Sequence, residues 1–247
     1  MNPITSTFTA NGFVVLRAFL GPQEVSELRA ELDRYMCDVL PRLPQNSVFY
    51  EVKGQPNTLK QVPLLGKHSA YFGELLNGGR FRSLAETLLG GTVVPNQVQW
   101  LNKCARVGTL TPPHQDGFYY MLEPAEALAI WLALDDADEA NGCMRYVPGS
   151  HHRGMRPHAR TNTLGFSQGI TDFGDADRAV EVALRAKPGD ALVHHCLTIH
   201  RADPNQSERE RRALQFVYWS ERAREDTKRK TGYQARLKQE LAQAGKI

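Results

Sequence analysis

The sequence contains few cysteines and no long apolar run, and both absences narrow the class of protein. No apolar stretch approaches the roughly 18 residues of a membrane span, and the N-terminus MNPITSTFTANG has neither a basic region nor an apolar one, so we expect no signal peptide. The four cysteines form no CxxC pair and no dense framework, which predicts reduced thiols. They are Cys37, Cys104, Cys143 and Cys196. A cytoplasmic protein without a membrane partner is the expectation.

The chain also has no large excess of positive or negative charge. The formal net charge of the 247 residues is +3, with 23% charged and 41% hydrophobic residues and no low-complexity tract, as in ordinary globular proteins. The basic run RAREDTKRK interleaves acids and has no aromatic residues on which bases could stack. We therefore expect a small-molecule partner and no nucleic acid, while monomer and homodimer both remain open.

The apolar patterning predicts one domain over residues 1–247. A helical part covers about 1–91, where Val25, Leu28 and Leu32 recur at helical spacing after Pro22. From about 92 to 219, short β-like segments alternate with turn residues, which predicts an antiparallel sandwich or barrel, mainly β with flanking helices. A charged helix is predicted for about 220–244.

Two stretches carry candidate metal ligands. In PPHQDGFYY, an extended strand would point His114 and Asp116 to the same face. One further histidine would complete the two-histidine, one-carboxylate set of non-haem Fe(II) oxygenases. HHCLTIH offers His194, His195 and His200, of which only His200 lies at the end of its strand. A surface His–Asp pair, and strand histidines that only form hydrogen bonds, are the alternatives.

An arginine follows the last of these histidines on the next predicted strand. An antiparallel hairpin would bring His200 and Arg211 close together. The planar guanidinium matches a carboxylate bidentately, so Arg211 is a candidate to hold the distal carboxylate of a dicarboxylic cosubstrate.

The ordered set of motifs resembles the phytanoyl-CoA dioxygenase family of Fe(II)- and 2-oxoglutarate-dependent oxygenases. The resemblance runs through NGFVVLRAFLGPQEVSELRAELD, HQDGFYY, WLALDDADEANGCMRYVPGSHHRG and PGDALVHHCLTIHRADPNQSERERRAL. It implies a double-stranded β-helix (jelly-roll) fold, with iron bound by His114, Asp116 and His200. It also implies that Arg211 binds the 2-oxoglutarate carboxylate, although a one-residue slip would substitute Arg212.

The resemblance also implies roles for further residues, and each of them has an alternative interpretation. Trp131 matches a residue that lines the cosubstrate pocket, or is a core aromatic. Gln99 matches a cosubstrate contact, and Lys60 is another candidate. The chain departs from the family pattern at Ala202, where relatives often carry a hydroxyl group two places after the last histidine. A hydrogen bond to the cosubstrate is then missing or supplied from elsewhere.

The resemblance implies oxidation of a C–H bond with O₂ and release of succinate and CO₂. Halogenating relatives have a small residue where this chain keeps Asp116, so hydroxylation is favoured over halogenation. The alternative is a catalytically silent metal-binding protein of the same fold, or one with a zinc-type site. A hydrolase does not need an arginine that binds a dicarboxylate. Arg211 therefore distinguishes an oxygenase from a zinc-type hydrolase.

Residues 151–178 form a long connection whose first part is basic, and long connections often serve as lids or binding loops. Arg156 is the candidate within it for binding an anionic substrate, with a solvated loop as the alternative. Phe118 and Tyr120, expected on the same strand face as Asp116, are candidates for the floor of the substrate pocket or are plain core aromatics. The sequence names neither the substrate nor the carbon attacked.

Overall fold

The computed structural model describes residues 2–44, 47–52, 54–161, 163 and 167–243. Its eight helices within those residues are α1 Pro3–Asn11, α2 Pro22–Asp38, α3 Leu65–His68, α4 Ala70–Asn77, α5 Gly79–Leu89, α6 Gly117–Tyr120, α7 Asp175–Val180 and α8 Thr227–Gln243. No helix among these has the length and hydropathy needed to cross a bilayer.

Fifteen strands occur in the same residues. They are β1 Phe13–Leu16, β2 Phe49–Tyr50, β3 Leu59–Val62, β4 Val93–Lys103, β5 Thr111–His114, β6 Leu122–Glu123, β7 Ala127–Ala133, β8 Met144–Tyr146, β9 His158–Arg160, β10 Gln168–Ile170, β11 Val182–Leu184, β12 Ala191–His195, β13 His200–Ala202, β14 Arg211–Ser220 and β15 Arg224–Glu225.

The strands form the two main sheets of a jelly roll. The large sheet has the order β1-β12-β7-β14-β4-β3-β2, and the small sheet has the order β11-β8-β13-β5. Within the described residues, the paired strands of both sheets are antiparallel. Trp131 and Ala213 of the large sheet share one core cluster with Tyr146 and Ala202 of the small sheet, so the two sheets face each other.

The helices cover the other face of the large sheet. Leu65, Phe72 and Phe81 from α3, α4 and α5 belong to one buried cluster with residues of the large sheet, and the Phe81 ring stacks on Phe216 of β14 with 4.1 Å between centroids. The sheet is thus packed on both faces. This explains why every residue of β7 is buried and why its sequence does not alternate.

The prediction of helix α2 is confirmed. It begins at Pro22, and its buried positions Val25, Leu28 and Leu32 form one stripe. The Glu24 side chain accepts a hydrogen bond from the Gly21 backbone N–H at 2.8 Å, satisfying a donor that the first turn leaves free.

The strand predicted within GFVVLRAFL, residues 12–20, is confirmed as β1, whereas β2 and β3, which also join the large sheet from the N-terminal part, were not predicted. One helix boundary was wrong. The last helix begins at Thr227 rather than about 220, since β14 continues to Ser220 and β15 then pairs with β6. In both cases backbone pairing with distant strands outweighs local propensity.

Candidate active site

His114 and Asp116 come together by a route other than the predicted strand. Strand β5 ends at His114, and Asp116 has helical dihedrals, φ −56° and ψ −33°, immediately before α6. The side chains still meet, with His114 Nε2 3.5 Å from Asp116 Oδ1. Because Phe118 and Tyr120 lie in α6, the expectation that they share a strand face with Asp116 is wrong.

Strand pairing brings the second histidine to the same place. His200 of β13 lies directly opposite His114 of β5, and the ring centroids are 4.1 Å apart. Nδ1 of each ring lies near a backbone carbonyl, that of Pro112 at 2.8 Å and that of Thr198 at 2.9 Å. These bonds turn both Nε2 atoms towards Asp116, with His200 Nε2 3.8 Å from Oδ1.

One ligand atom from each of His114, Asp116 and His200 lies within 4.8 Å of the other two, and all three residues are buried. Burial, reinforced by the other histidines, lowers the pKa of His200 well below its ordinary value, so its ring stays neutral and keeps a lone pair at neutral pH. Burial alone would raise the pKa of Asp116, but hydrogen bonds from His114 and His194 hold that pKa well below its usual range. The arrangement is one carboxylate and two imidazole rings whose ligand atoms converge on one point.

The second carboxylate oxygen of Asp116 is held by other groups. The Tyr120 hydroxyl donates to Oδ2 at 3.2 Å, His194 Nε2 lies 3.2 Å from it, and Gln215 Nε2 donates at 3.4 Å. His194 Nδ1 is in turn 3.1 Å from the Tyr146 hydroxyl. These contacts leave Oδ1 as the oxygen that faces His114 and His200.

Arg211 points into the same cavity from β14. Its Nη1 donates to the Gly142 carbonyl at 3.2 Å and lies 3.7 Å from Met144 Sδ, while the guanidinium carbon is 5.1 Å from the Trp131 ring centroid. Its Nε is buried without a hydrogen-bond partner, and no carboxylate of the described residues pairs with it. Burial lowers the pKa of Arg211 to about 10.

Arg212 points the other way. Its guanidinium binds the Asp135 carboxylate with two hydrogen bonds, Nε to Oδ2 at 2.8 Å and Nη2 to Oδ1 at 2.9 Å. The structure therefore places Arg211, and not Arg212, beside the His–Asp–His group. The predicted hairpin of His200 and Arg211 is wrong, because β13 and β14 belong to opposite sheets and the two side chains meet across the cavity between them.

The cavity, here called the inner cavity, has a volume of about 220 Å³. Its lining consists of Gln61, Gln97, Gln99, Leu101, Thr111, His114, Asp116, Tyr119, Tyr120, Trp131, Met144, His200, Arg211 and Gln215. The structure thus gathers the predicted metal ligands with Arg211, Trp131 and Gln99. Sequence reasoning missed Gln215 and Tyr119. Gln215 could have been found, because it lies four residues after Arg211 on the same face of one strand.

Other predicted residues have different surroundings. Phe118 stacks on His158 with centroids 4.5 Å apart and does not line the inner cavity, whereas Tyr120 lines it and supports Asp116. Lys60 Nζ lies 3.1 Å from Glu51 and 2.9 Å from the Thr109 hydroxyl, outside that lining. Arg156 also lies outside it.

The Arg156 guanidinium is held by two carboxylates. Nη1 lies 2.8 Å from Asp177 Oδ1, and Nη2 lies 2.9 Å from Asp172 Oδ1. Because both partners are acids, the predicted positive charge of this position is balanced within the protein itself.

Comparisons with known proteins find similar sequences over most of the chain. Residues 8–213 match the family model described as Phytanoyl-CoA dioxygenase (PhyH). The phytanoyl-CoA dioxygenase of Arabidopsis thaliana is 26% identical over 240 residues, covering 83% of this chain and 84% of that protein. Phytanoyl-CoA dioxygenase 1 of Oryza sativa subsp. japonica is 28% identical over 242 residues, covering 84% of each.

Solved structures agree as well. EvdO2 of Micromonospora carbonacea var. aurantiaca, complexed with 2-oxoglutarate, is 30% identical and aligns with a TM-score of 0.72 over 91% of this chain and 92% of that one. The epimerase SnoN, complexed with Fe³⁺, alpha-ketoglutarate and nogalamycin RO, is 24% identical with a TM-score of 0.70, covering 89% of this chain and 83% of that one. The second similarity concerns the fold alone.

Proposed function

Because this chain belongs to the phytanoyl-CoA dioxygenase family, we propose that it is a non-haem iron(II)- and 2-oxoglutarate-dependent oxygenase whose metal ligands are His114, Asp116 and His200. The observation that carries the proposal is one cavity that holds both the three ligand atoms, within 4.8 Å of one another, and a buried guanidinium. We also propose that residues 1–247 form a single oxygenase domain.

The donor set fits iron(II). Two imidazoles and one carboxylate would hold the ion from one side and would leave other coordination positions for a cosubstrate and O₂. Iron(II) together with 2-oxoglutarate supplies the oxidation of a C–H bond by O₂, with release of succinate and CO₂. The part of the protein is to orient the reactants and to keep water away.

Arg211 is the proposed clamp for the distal carboxylate of 2-oxoglutarate. A buried guanidinium without a carboxylate partner among the described residues favours an anion brought by a ligand. Trp131 forms the wall behind the guanidinium. Gln99 lines the inner cavity, and its amide nitrogen keeps a second hydrogen with which to reach the cosubstrate.

Hydroxylation is the proposed outcome, and Asp116 is the reason. Its carboxylate would occupy, on a bound iron, the position that a halide would need, and three hydrogen-bond partners at Oδ2 fix its orientation. A related enzyme of the same fold is described as an epimerase, so the outcome depends on how the substrate lies.

We further propose a small substrate that carries an anionic group and is bound in an outer chamber of about 400 Å³. Arg160 and Lys230 line this chamber, and Lys230 also forms an ion pair with Glu225. Arg156, whose charge is balanced by Asp172 and Asp177, then shapes the segment around residues 151–178 instead of contacting the substrate.

The test is anaerobic addition of Fe(II) and 2-oxoglutarate to the wild type and to Asp116→Ala. A visible charge-transfer band in the wild type, with slow formation of succinate once O₂ is admitted, is the expected result. A catalytically silent or zinc-type protein, the competing interpretation, would give no band and no succinate. An unchanged band and unchanged turnover in Asp116→Ala would mean that the metal ligands are misassigned.

A further inference from the structure

Three glutamines from neighbouring strands lie side by side on the inner face of the large sheet. Gln215 of β14 is paired directly with Gln99 of β4. Gln61 of β3 is paired with Leu101 of β4, which makes Gln99 its diagonal neighbour. The period of two along each strand therefore turns all three amides towards the inner cavity.

The amides form a continuous chain of hydrogen bonds that ends on a proposed metal ligand. Gln61 Nε2 donates to Gln99 Oε1 at 2.7 Å, and Gln99 Nε2 donates to Gln215 Oε1 at 2.6 Å. Gln215 Nε2 then donates to Asp116 Oδ2 at 3.4 Å. Gln99 and Gln215 thus each accept on one side and donate on the other, whereas Gln61 only donates.

The direction of this chain is imposed by Asp116. A carboxylate only accepts hydrogen bonds, so Gln215 has to present its NH₂ group to it. That orientation presents the Gln215 carbonyl to Gln99, and the same requirement passes on to Gln61. Reversing any one amide would place two oxygens or two NH₂ groups against each other.

The far end of the chain is consequently an acceptor. Gln61 Oε1 is shielded from solvent and receives no hydrogen bond from the described residues. A buried acceptor without a donor is costly, and few occur in proteins. Something absent from the free protein is therefore expected to donate to it.

Gln61 lies where a substrate would enter. It lines the inner cavity and also the outer chamber, and Gln97, Gln99 and Tyr119 are likewise common to both linings. The outer chamber is closed on another side by Tyr233 and Leu237 of α8, a helix beyond the residues that match the family model. 2-Oxoglutarate has no hydrogen-bond donor at neutral pH, which leaves water, or a substrate that displaces it, as the donor to Gln61 Oε1.

We propose that Gln61, Gln99 and Gln215 form a one-way amide relay that selects substrates bearing a hydroxyl or N–H group and couples their binding to Asp116. The relay rests on the proposed function, since only a substrate beside a metal centre makes such coupling useful. A small rotation of the terminal amide of Gln61, a soft torsion, brings its oxygen to the ligand. The relay residues position Asp116 and do not contact the reacting atoms.

The test uses two probes, 2-naphthol and its methyl ether 2-methoxynaphthalene, in which a methyl group replaces the hydroxyl hydrogen and removes the donor. Their dissociation constants are measured by ligand-observed NMR, with and without Fe(II) and 2-oxoglutarate under anaerobic conditions, and the charge-transfer band is recorded in parallel. We expect 2-naphthol to bind the wild type about fivefold more tightly, the factor typical of one net hydrogen bond. We also expect only 2-naphthol to shift the band.

Matched variants separate selection from coupling. Gln61→Met should abolish the preference and the band shift, whereas Gln97→Met, which lines the same two cavities outside the relay, should keep both. Gln99→Met should keep the preference but lose the band shift, because it cuts the relay in the middle. The band of this variant is recorded at saturating 2-oxoglutarate, since Gln99 is also a proposed cosubstrate contact.

Three results would overturn the proposal. The first is that 2-naphthol binds the wild type no more tightly than its methyl ether, which includes the case that neither probe binds. The second is an unchanged preference for 2-naphthol in Gln61→Met. The third is a band shift that persists in Gln99→Met. Absence of the charge-transfer band in the wild type would instead refute the oxygenase function. The probe affinities without metal would still test Gln61 in that case.

Discussion

Replacing Arg211 by leucine should separate ligand binding from stability. The guanidinium is buried, and its only hydrogen-bond partners among the described residues are the Gly142 carbonyl and Met144 Sδ. If it serves as the clamp for the distal carboxylate of 2-oxoglutarate, the substitution removes two charge-assisted hydrogen bonds from the complex. Without the ligand it removes a buried, uncompensated charge.

The magnitudes follow from these surroundings. Charge-assisted hydrogen bonds contribute about 1.5–3 kcal/mol each, so two of them correspond to a loss of about 10²–10⁴ in 2-oxoglutarate affinity. In the free protein, burial lowers the pKa of Arg211 from 12.5 to about 10. That shift corresponds to a cost of about 3 kcal/mol for keeping the group charged, which the variant no longer bears. We therefore expect the melting temperature without ligand to be equal to that of the wild type or higher.

The assay is an anaerobic titration of the Fe(II) protein with 2-oxoglutarate, followed by the charge-transfer band, beside thermal melts without ligand. Arg212→Leu is the matched control. It breaks the bidentate pair with Asp135 at the surface, where the Arg212 side chain is 37% exposed. We expect a stability loss of at most about 1 kcal/mol and an unchanged 2-oxoglutarate affinity.

Two results would refute this reasoning. One is 2-oxoglutarate affinity in Arg211→Leu within threefold of the wild type, as a rough limit of one weak hydrogen bond. The other is a large loss of affinity in Arg212→Leu, which would mean that the register of β14 in solution differs by one residue from the structure.

Three further predictions concern the metal ligands and the histidines around them. Asp116→Ala should abolish succinate formation while circular dichroism stays native, and retained turnover would contradict its role as a ligand. His194→Leu removes a contact at Asp116 Oδ2 and should weaken Co(II) binding about 10–100-fold in a spectroscopic titration, with a smaller effect for Tyr120→Phe. Burial lowers the pKa of His195 to about 4, so between about pH 6.5 and 4 the unfolded chain binds a proton that the folded chain resists. The free energy of unfolding should decrease by up to about 3 kcal/mol as the pH falls from about 6.5 to 4. Thermal melts at several pH values should show a weaker pH dependence of stability for His195→Gln.

Part of the site could be predicted because local patterns suffice for it. The His–Asp spacing and a histidine at a strand end indicated candidate ligands, and the family resemblance implied His114, Asp116 and His200 as the set; the structure brings their ligand atoms together. The route was wrong for Asp116, which lies at the start of a short helix where a strand was expected. A histidine and an aspartate two positions apart can bring their side chains together from a strand or from the start of a helix. The spacing alone therefore does not distinguish a strand from a helix at Asp116.

The supporting contacts could not be predicted in the same way. His194 lies in a strand of the large sheet, and its contact with Asp116 crosses 78 positions of the chain. The relay from Gln61 to Gln215 depends on the register of three strands, which is set by distant backbone pairing. Arg211 and Arg212 are neighbours in one strand and point to opposite faces of the sheet. Which of them faces the inner cavity depends on the tertiary packing.

By itself, the sequence determined the mainly β fold with flanking helices, the residue types available to bind a metal and an arginine on the strand after the last histidine. These follow from periodicity and spacing, which are local properties of the chain. Only the tertiary structure decided that Arg211 faces the cavity, that Arg156 is neutralised by Asp172 and Asp177, and which oxygen of Asp116 faces the histidines. Each of these depends on contacts between strands and loops far apart in the chain, and no local pattern records them.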